Sequence, residues 1–398
     1  MDGKQPLIIV ATAGGALRAA LWTGTVLAHG MKYPNFDERL FAISGVSGGS
    51  VGAAFVTAHL REPAAKAAPN KSKWLKGRID VSMTQDYVAP VVAGLLFPDL
   101  VQRFWPFAWF PDRAEALESG WEAGWRRNAA KNSMEAAKRG GLGARFRDLA
   151  TYREDDDSEC GERGPVLLFN GAHEERGKRI ITANVKVTPN VFTDAYDFFN
   201  LAEGSIRLST AAHNSARFPY VSPAGTMYGA DAANHGHIID GGYFENFGAI
   251  TAAELLDAIP DHVRDNVRPI VILISSDPDL TRHDIEANVP AVTSGRTWMN
   301  EIFAPLVGLY AARTGRGTLA AQALRRKTTT SDPKGEFLHF RMCEENRIKP
   351  GLGWSLSPAS EKAIQDDFLS ECDNGAEFKR LETLLGGKSA GAGSVATQ

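Results

Sequence analysis

Cysteine is scarce: three in 398 residues, at Cys160, Cys343 and Cys372. They are odd in number, far apart and show no C-x-x-C spacing. This argues against a disulfide framework and a zinc site and fits a reducing compartment, so a cytoplasmic location is expected. Long apolar runs are lacking too. A membrane-spanning helix needs about 18 or more uninterrupted apolar residues, and the nearest approach, Tyr87 to Phe110, is broken by Asp99, Gln102 and Arg103. The apolar run Leu7 to Ala11 is followed at once by glycines and is too short for a signal peptide. Charge of one sign is also lacking. The net charge of -3 provides no basic field for a nucleic-acid partner. What remains, 43% hydrophobic and 23% charged residues, is ordinary for a soluble globular chain.

The order of elements is informative. Pro6 to Thr12 reads as a strand ending at Gly14-Gly15, and Ala16 to His29 as a helix. Leu40 to Gly45 is a second strand, followed by a helix from Gly48 to Leu60. Strand, glycine turn and helix, twice over, open a three-layer α/β fold. Arg61 to Ser82, rich in Ala, Lys and Pro, reads as a surface insertion, and Asp112 to Arg147 as helical. Tyr152 to Gly164 reads as a polar, disordered loop. Val166 to Asn170 and Arg179 to Asn184 predict a hairpin. Further on, helices are expected at Gly204 to Ser215, Ala249 to Ile259, Trp298 to Arg326 and, as the last, Ser357 to Leu369. Strands are expected at His237 to Asp240, Pro269 to Ser275 and Glu336 to Met342. The tail from Gly386 is small, polar and expected to be disordered.

Three glycine-rich points carry the chemistry. Gly45-Val46-Ser47-Gly48-Gly49 has the form G-x-S-x-G between a strand and a helix. Glycines permit the tight turn that lifts a serine onto an elbow, and the following helix aims its amides at developing negative charge. The same pattern also fits a glycine-rich turn with a structural serine. Gly14-Gly15-Ala16-Leu17-Arg18 follows the first strand, where backbone amides can serve an oxyanion. Arg18 either reinforces that loop or holds an anionic head group. Neither G-x-G-x-x-G nor a Walker lysine is present to favour a nucleotide. Asp240-Gly241-Gly242 ends a strand, where a carboxylate can act as general base or belong to an ordinary Asp-Gly turn. A histidine base is disfavoured. Ser47 follows only the second strand, unlike an α/β-hydrolase nucleophile; His339 lies inside a strand; His213, His235 and His237 read as loop or packing residues.

These three points, in this order, resemble the patatin-like phospholipase family, related to the cytosolic phospholipase A group. Ser215-Ala216-Arg217-Phe218-Pro219 and Tyr243-Phe244-Glu245-Asn246-Phe247-Gly248 extend the likeness. The resemblance implies a three-layer α/β/α fold with a central, mostly parallel sheet. It implies one acyl hydrolase domain over 5–385, with an insertion around 61–150 and a disordered tail at 386–398. It further implies a dyad without histidine: Ser47 as nucleophile and Asp240 as base, with Gly15 and Ala16 amides as oxyanion hole and Gly14 shaping the loop. Gly45, Gly48, Gly49, Gly241 and Gly242 would support the turns. Neither metal nor organic cofactor is required. The chain departs from the family at Ala16, where a third glycine is usual, which is costly if that position needs a positive φ.

The implied substrate is a phospholipid or other acyl lipid, cleaved as by a phospholipase A or lysophospholipase. Esters or thioesters of soluble acids are the alternative, and a non-catalytic lipid-binding module is a third reading. Phe97, Phe104, Trp105, Phe107, Trp109 and Phe110 crowd one short stretch that suits a membrane interface, a lid or a packed insertion. Lys71, Lys73, Lys76 and Arg78 either meet anionic lipid or form a solvated face, the latter preferred. No oligomeric state is assigned.

Overall fold

The computed structural model describes residues 4–102, 104, 110–128, 140–149, 164–219, 221–278, 280, 284–285, 300–331, 334–342, 348–367 and 369–386. The chain opens with strand β1 (Gln5–Thr12), helix α1 (Ala16–Gly30), β2 (Leu40–Val46) and α2 (Gly48–Leu60). It continues through α3 (Lys71–Met83), α4 (Val88–Gly94) and α5 (Arg113–Asn128). Next come β3 (Val166–His173), β4 (Arg179–Ala183), β5 (Ala195–Asp197), α6 (Leu208–Ser215), β6 (Gly225–Tyr228) and β7 (Asn234–Asp240). It closes with α7 (Ala249–Asp257), β8 (Val267–Ser275), α8 (Asn300–Thr330), β9 (Glu336–Arg341), α9 (Pro358–Lys362) and α10 (Asn374–Leu384).

The nine strands form one mixed sheet of order β5-β4-β3-β2-β1-β8-β9, with β7 on β3 and β6 on β7. Its centre is parallel: β1 runs with β2 and β8, β2 with β3, and β8 with β9. Such strands are covered on both faces, and the central β1, β2 and β8 are correspondingly rich in apolar residues. Alternate residues serve opposite layers. Ile8 and Val10 of β1, with Ile270 and Ile272 of β8, pack beside α1, α2 and α3. Ile9 and Ala11, with Val271 and Leu273, pack against α7 and α8. Each such buried aliphatic side chain is worth about 1.5–3 kcal/mol. The expected three-layer α/β/α arrangement is therefore present.

Several expectations need correction. Residues 61–82 are no mere surface insertion, because α3 sends Leu75, Ile79 and Met83 into the main core, where Ile79 packs on Gly24 of α1. The helix expected to be last is short: α9 gives way to a π-helical turn at Ala363–Asp367, and α10 follows. Cys372 is disulfide-bonded, contrary to the expectation from the cysteine spacing, and Cys160 and Cys343 lie outside the described residues. The region from Asp112 to Arg147 holds α5 and short 3-10 turns, with 129–139 outside the described residues. Tyr152 to Arg163, Trp105 to Trp109, and the tail beyond Gly386 also lie outside them. Among the described residues no helix is long and apolar enough to cross a membrane.

Candidate active site

Topology brings Ser47 to Asp240. Strand β2 runs parallel to β3 and ends with Val46 opposite Asn170. Strand β7 runs antiparallel to β3 and ends with Asp240 opposite the next residue, Gly171. Because β4 occupies the other edge of β3 at Gly171, β2 and β7 lie on the same edge and meet head to head. The residue after β2 is Ser47, and its Oγ donates to Asp240 Oδ2 at 2.7 Å. Both residues are nearly covered, at 3% and 4% exposure, which strengthens the bond relative to one in water. Asp240 Oδ1 accepts the Gly242 N–H at 2.8 Å, which fixes the carboxylate plane. A side chain on Gly241 would lie 2.7 Å from the Asn170 carbonyl carbon, so only glycine lets the turn after Asp240 cross β3 this closely.

Ser47 has φ 50° and ψ -123°, a strained conformation for a non-glycine residue that persists only where the surroundings impose it. The imposition is visible. Gly45 packs on Ser50, Gly49 on the carbonyls of Thr12 and Ala13, and Gly48 on the Ala16 carbonyl. Helix α2 begins at Gly48, so its first amides lie beside the hydroxyl.

The loop after β1 lies against the elbow. A Cβ on Gly14 would stand 3.1 Å from Ser47 Cβ. Gly14 N–H donates to Asn246 O at 2.9 Å, and Gly14 O accepts from Ser276 Oγ at 2.6 Å. The amides of Gly15 and Ala16 have no acceptor among the described residues and are available to an incoming group. Ala16 has φ 50°, so the position that departs from glycine is one where glycine costs less. Arg18 is buried and donates from Nη1 to Pro350 O at 2.9 Å, which fits the loop-reinforcing role.

A buried polar framework beneath the elbow went unread in the sequence. Ser215 Oγ accepts the Ser47 N–H at 2.9 Å and the Ser50 hydroxyl at 2.9 Å, and donates to Asn170 O at 2.6 Å. Asn170 Nδ2 donates to Gly45 O at 2.9 Å and to Ser44 Oγ at 3.0 Å. Its Oδ1 accepts from Thr251 Oγ1 at 2.5 Å, which in turn accepts from Arg179 at 2.7 Å. Arg179 closes on Glu254 at 2.8 Å. Ser215 stood within a recognised segment, but nothing in the sequence assigned its hydroxyl to Ser47.

The other titratable groups have structural surroundings. Glu245 is buried next to α7, and desolvation pushes its carboxyl up to about 7 against the opposing pull of backbone amides such as that of Phe247. His213 is fully covered, and burial lowers its pKa while Glu118, held charged by His213 and Thr210, stays low. Neutral His213 thus donates from Nδ1 to Glu118 at 2.8 Å and accepts at Nε2 from Ser222 at 2.7 Å. His339 pairs with Ser275 at 2.8 Å. His235 pairs with the Leu201 carbonyl at 2.9 Å, and His237 with Glu175 at 2.6 Å. None of these histidines bonds Ser47 or Asp240 in these pairings. Among the described residues, Glu174 and Glu175 on the β3–β4 turn make a carboxylate–histidine cluster with His237 of β7, and its His237–Glu175 bond already engages it.

A family profile described as patatin-like phospholipase matches residues 10–253. Two solved structures of human GIVD cytosolic phospholipase A2 in complex with methyl gamma-linolenyl fluorophosphonate, one also with terbium chloride, are similar to the chain. Identity is 12% and the TM-score 0.43 for each, with 96% and 98% of this chain covered. The chain spans 59% and 60% of the length of those structures. No curated protein matches it. The profile runs from the end of the first strand through the serine elbow and the Asp240 turn, and the chain belongs to the patatin-like phospholipase family.

Proposed function

We propose that the protein is a lipid acyl hydrolase of phospholipase A or lysophospholipase type, working through a Ser47–Asp240 dyad. The observation that carries this reading is the 2.7 Å hydrogen bond from Ser47 Oγ to Asp240 Oδ2, made on a strained elbow beside the uncommitted Gly15 and Ala16 amides. Ser47 attacks the ester carbonyl while Asp240 takes its proton. A carboxylate with a usual pKa near 4 cannot make free alkoxide beforehand, so the transfer occurs within the transition state. The two amides receive the oxyanion, and one such donor is worth about 3–4 kcal/mol. Asp240 returns the proton to the leaving alcohol, then activates water against the acyl-enzyme. The chemistry needs no cofactor. A non-catalytic lipid binder would leave no reason for the dyad distance or for the strain at Ser47.

The test is fatty-acid release from mixed phospholipid vesicles, read by mass spectrometry, with a soluble p-nitrophenyl ester in parallel. Release from vesicles that Ser47→Ala and Asp240→Asn both lose supports the reading. Turnover of the soluble ester alone favours the soluble-ester alternative, and equal behaviour of all three proteins on both substrates contradicts the dyad.

A further inference from the structure

The largest feature that the proposed chemistry leaves unused is an apolar ridge. Of the large hydrophobic side chains exposed among the described residues, nine of sixteen lie between positions 88 and 110. Seven of them occupy α4, the π-helical turn Leu95–Asp99 and the short helix Leu100–Gln102 that continues it, and Phe104 and Phe110 follow. Phe97 is 70% exposed and Phe104 82%, with Val92, Leu95, Leu96 and Leu100 between 44% and 56%. Attachment to the body is narrow. In α4 only Val91 and Gly94 are buried, and Gly94 sits against the backbone of Arg113 in α5, leaving no room for a side chain. Such clustering is far from the scattered single exposures normal on a soluble surface.

The charge pattern identifies the occupant. Within residues 88–102 the only charged side chain is Asp99, and Arg113 neutralises it in an ion pair. A ridge with no net charge complements the uncharged acyl layer of a lipid surface rather than an anionic head-group layer or a charged protein. Of the neighbouring basic residues, three are already engaged: Lys71 pairs with Asp37, Lys76 with Asp80 at 2.8 Å, and Arg78 with Glu62 at 3.4 Å.

The ridge is wired to the candidate site. Arg113, held by Asp99, donates from Nε to Val221 O at 3.1 Å. Val221 lies six residues after Ser215, whose hydroxyl accepts the Ser47 N–H.

We propose that residues 88–102 form an interfacial docking element that inserts into the acyl layer of a zwitterionic lipid surface and presents the Ser47 site to it. This deepens the lipid hydrolase reading and rests on it for the choice of a lipid occupant. Docking is measured on the full chain carrying Ser47→Ala, so that binding is read without hydrolysis. Co-sedimentation with phosphatidylcholine vesicles is compared for that protein and for the same protein with Leu96→Asp and Phe97→Asp. Partition is expected to fall at least tenfold in the charged variant and to change little between low and high salt. Tenfold is about 1.4 kcal/mol, well below the penalty of about 2.5–3.5 kcal/mol for one such charge deep in a bilayer. With Ser47 intact, the same two substitutions are expected to leave soluble-ester turnover unchanged, which shows that the variant is folded.

Unchanged partition in the charged variant overturns the proposal, as does absence of binding by the parent. So does binding that appears only with phosphatidylglycerol and vanishes in salt. Sedimentation velocity supplies the remaining arm: a parent dimer that the substitutions dissociate, with vesicle binding unaltered, assigns the ridge to a second copy and overturns the lipid occupant. Vesicle binding without fatty-acid release by the Ser47 protein refutes the hydrolase reading and leaves docking intact.

Discussion

Gly48 lies against Ala16: a methyl group on Gly48 would collide with the Ala16 carbonyl oxygen and lie 2.8 Å from its carbonyl carbon. The serine elbow and the loop expected to hold the oxyanion are therefore pressed together, and neither can shift alone. Gly48→Ala is expected to push the two apart. Soluble-ester kcat is expected to fall at least a hundredfold, because misplacing an oxyanion donor by about 1 Å costs that much. Near-normal kcat in a folded Gly48→Ala protein would separate the loop from catalysis.

The partner position invites the opposite change. Ala16 holds φ 50°, where an L-residue with a Cβ is disfavoured by about 1–2 kcal/mol. Ala16→Gly is expected to stabilise the fold by about 1 kcal/mol, after allowance for the greater freedom of glycine in the unfolded chain. Urea unfolding would register this as a higher midpoint at unchanged slope, with activity retained.

Ser215 is expected to act by positioning. Its hydroxyl joins the Ser47 N–H to the Asn170 carbonyl, and so joins the end of β2 to the strand on which β7 sets Asp240. Ser215→Ala leaves a buried amide and a buried carbonyl without this partner, at about 1–3 kcal/mol each. The expected result is a roughly tenfold loss in soluble-ester kcat with KM nearly unchanged. A selective rise in KM would place Ser215 in substrate binding instead.

Glu245 gives the fold a pH dependence of defined sign. Burial raises its carboxyl from 4.5 to about 7, so the native state holds a proton that the unfolded chain has released. Its contribution is fully present below pH 4.5 and is lost as pH rises through 7, about 3 kcal/mol in all. Glu245→Gln keeps a neutral side chain throughout. The stability difference between variant and wild type is therefore expected to grow in the variant's favour between pH 4.5 and 7. Parallel melting curves across that window would show that Glu245 ionises normally.

What could be read in the sequence was local chemistry. The Ser47 elbow and the Gly14-Gly15 loop announce themselves because strand, glycine turn and helix are contiguous. Asp240 was legible only through resemblance, since an Asp-Gly turn is common. The Ser215–Asn170–Thr251–Arg179 framework joins residues on α6, β3, α7 and β4, which only the packing of these elements brings together. Helix α3 was misjudged because its lysines and the alanine-rich stretch before it mask Leu75, Ile79 and Met83, which nevertheless recur every four residues along one face. Helix α10 was missed because Asn374-Gly375 reads as a turn, whereas Asp373 at φ 62° serves as its left-handed entry.

The central claim is that Ser47 becomes acylated and that Asp240 drives both formation and hydrolysis of that ester. The most direct measurement is peptide mass spectrometry of the protein quenched during turnover of a slowly deacylating aryl ester. An acyl adduct on Ser47 is expected in the wild type, at a strongly reduced rate in Asp240→Asn, and at no site in Ser47→Ala. Undiminished turnover by Ser47→Ala, or an acyl adduct confined to another residue, would contradict the account.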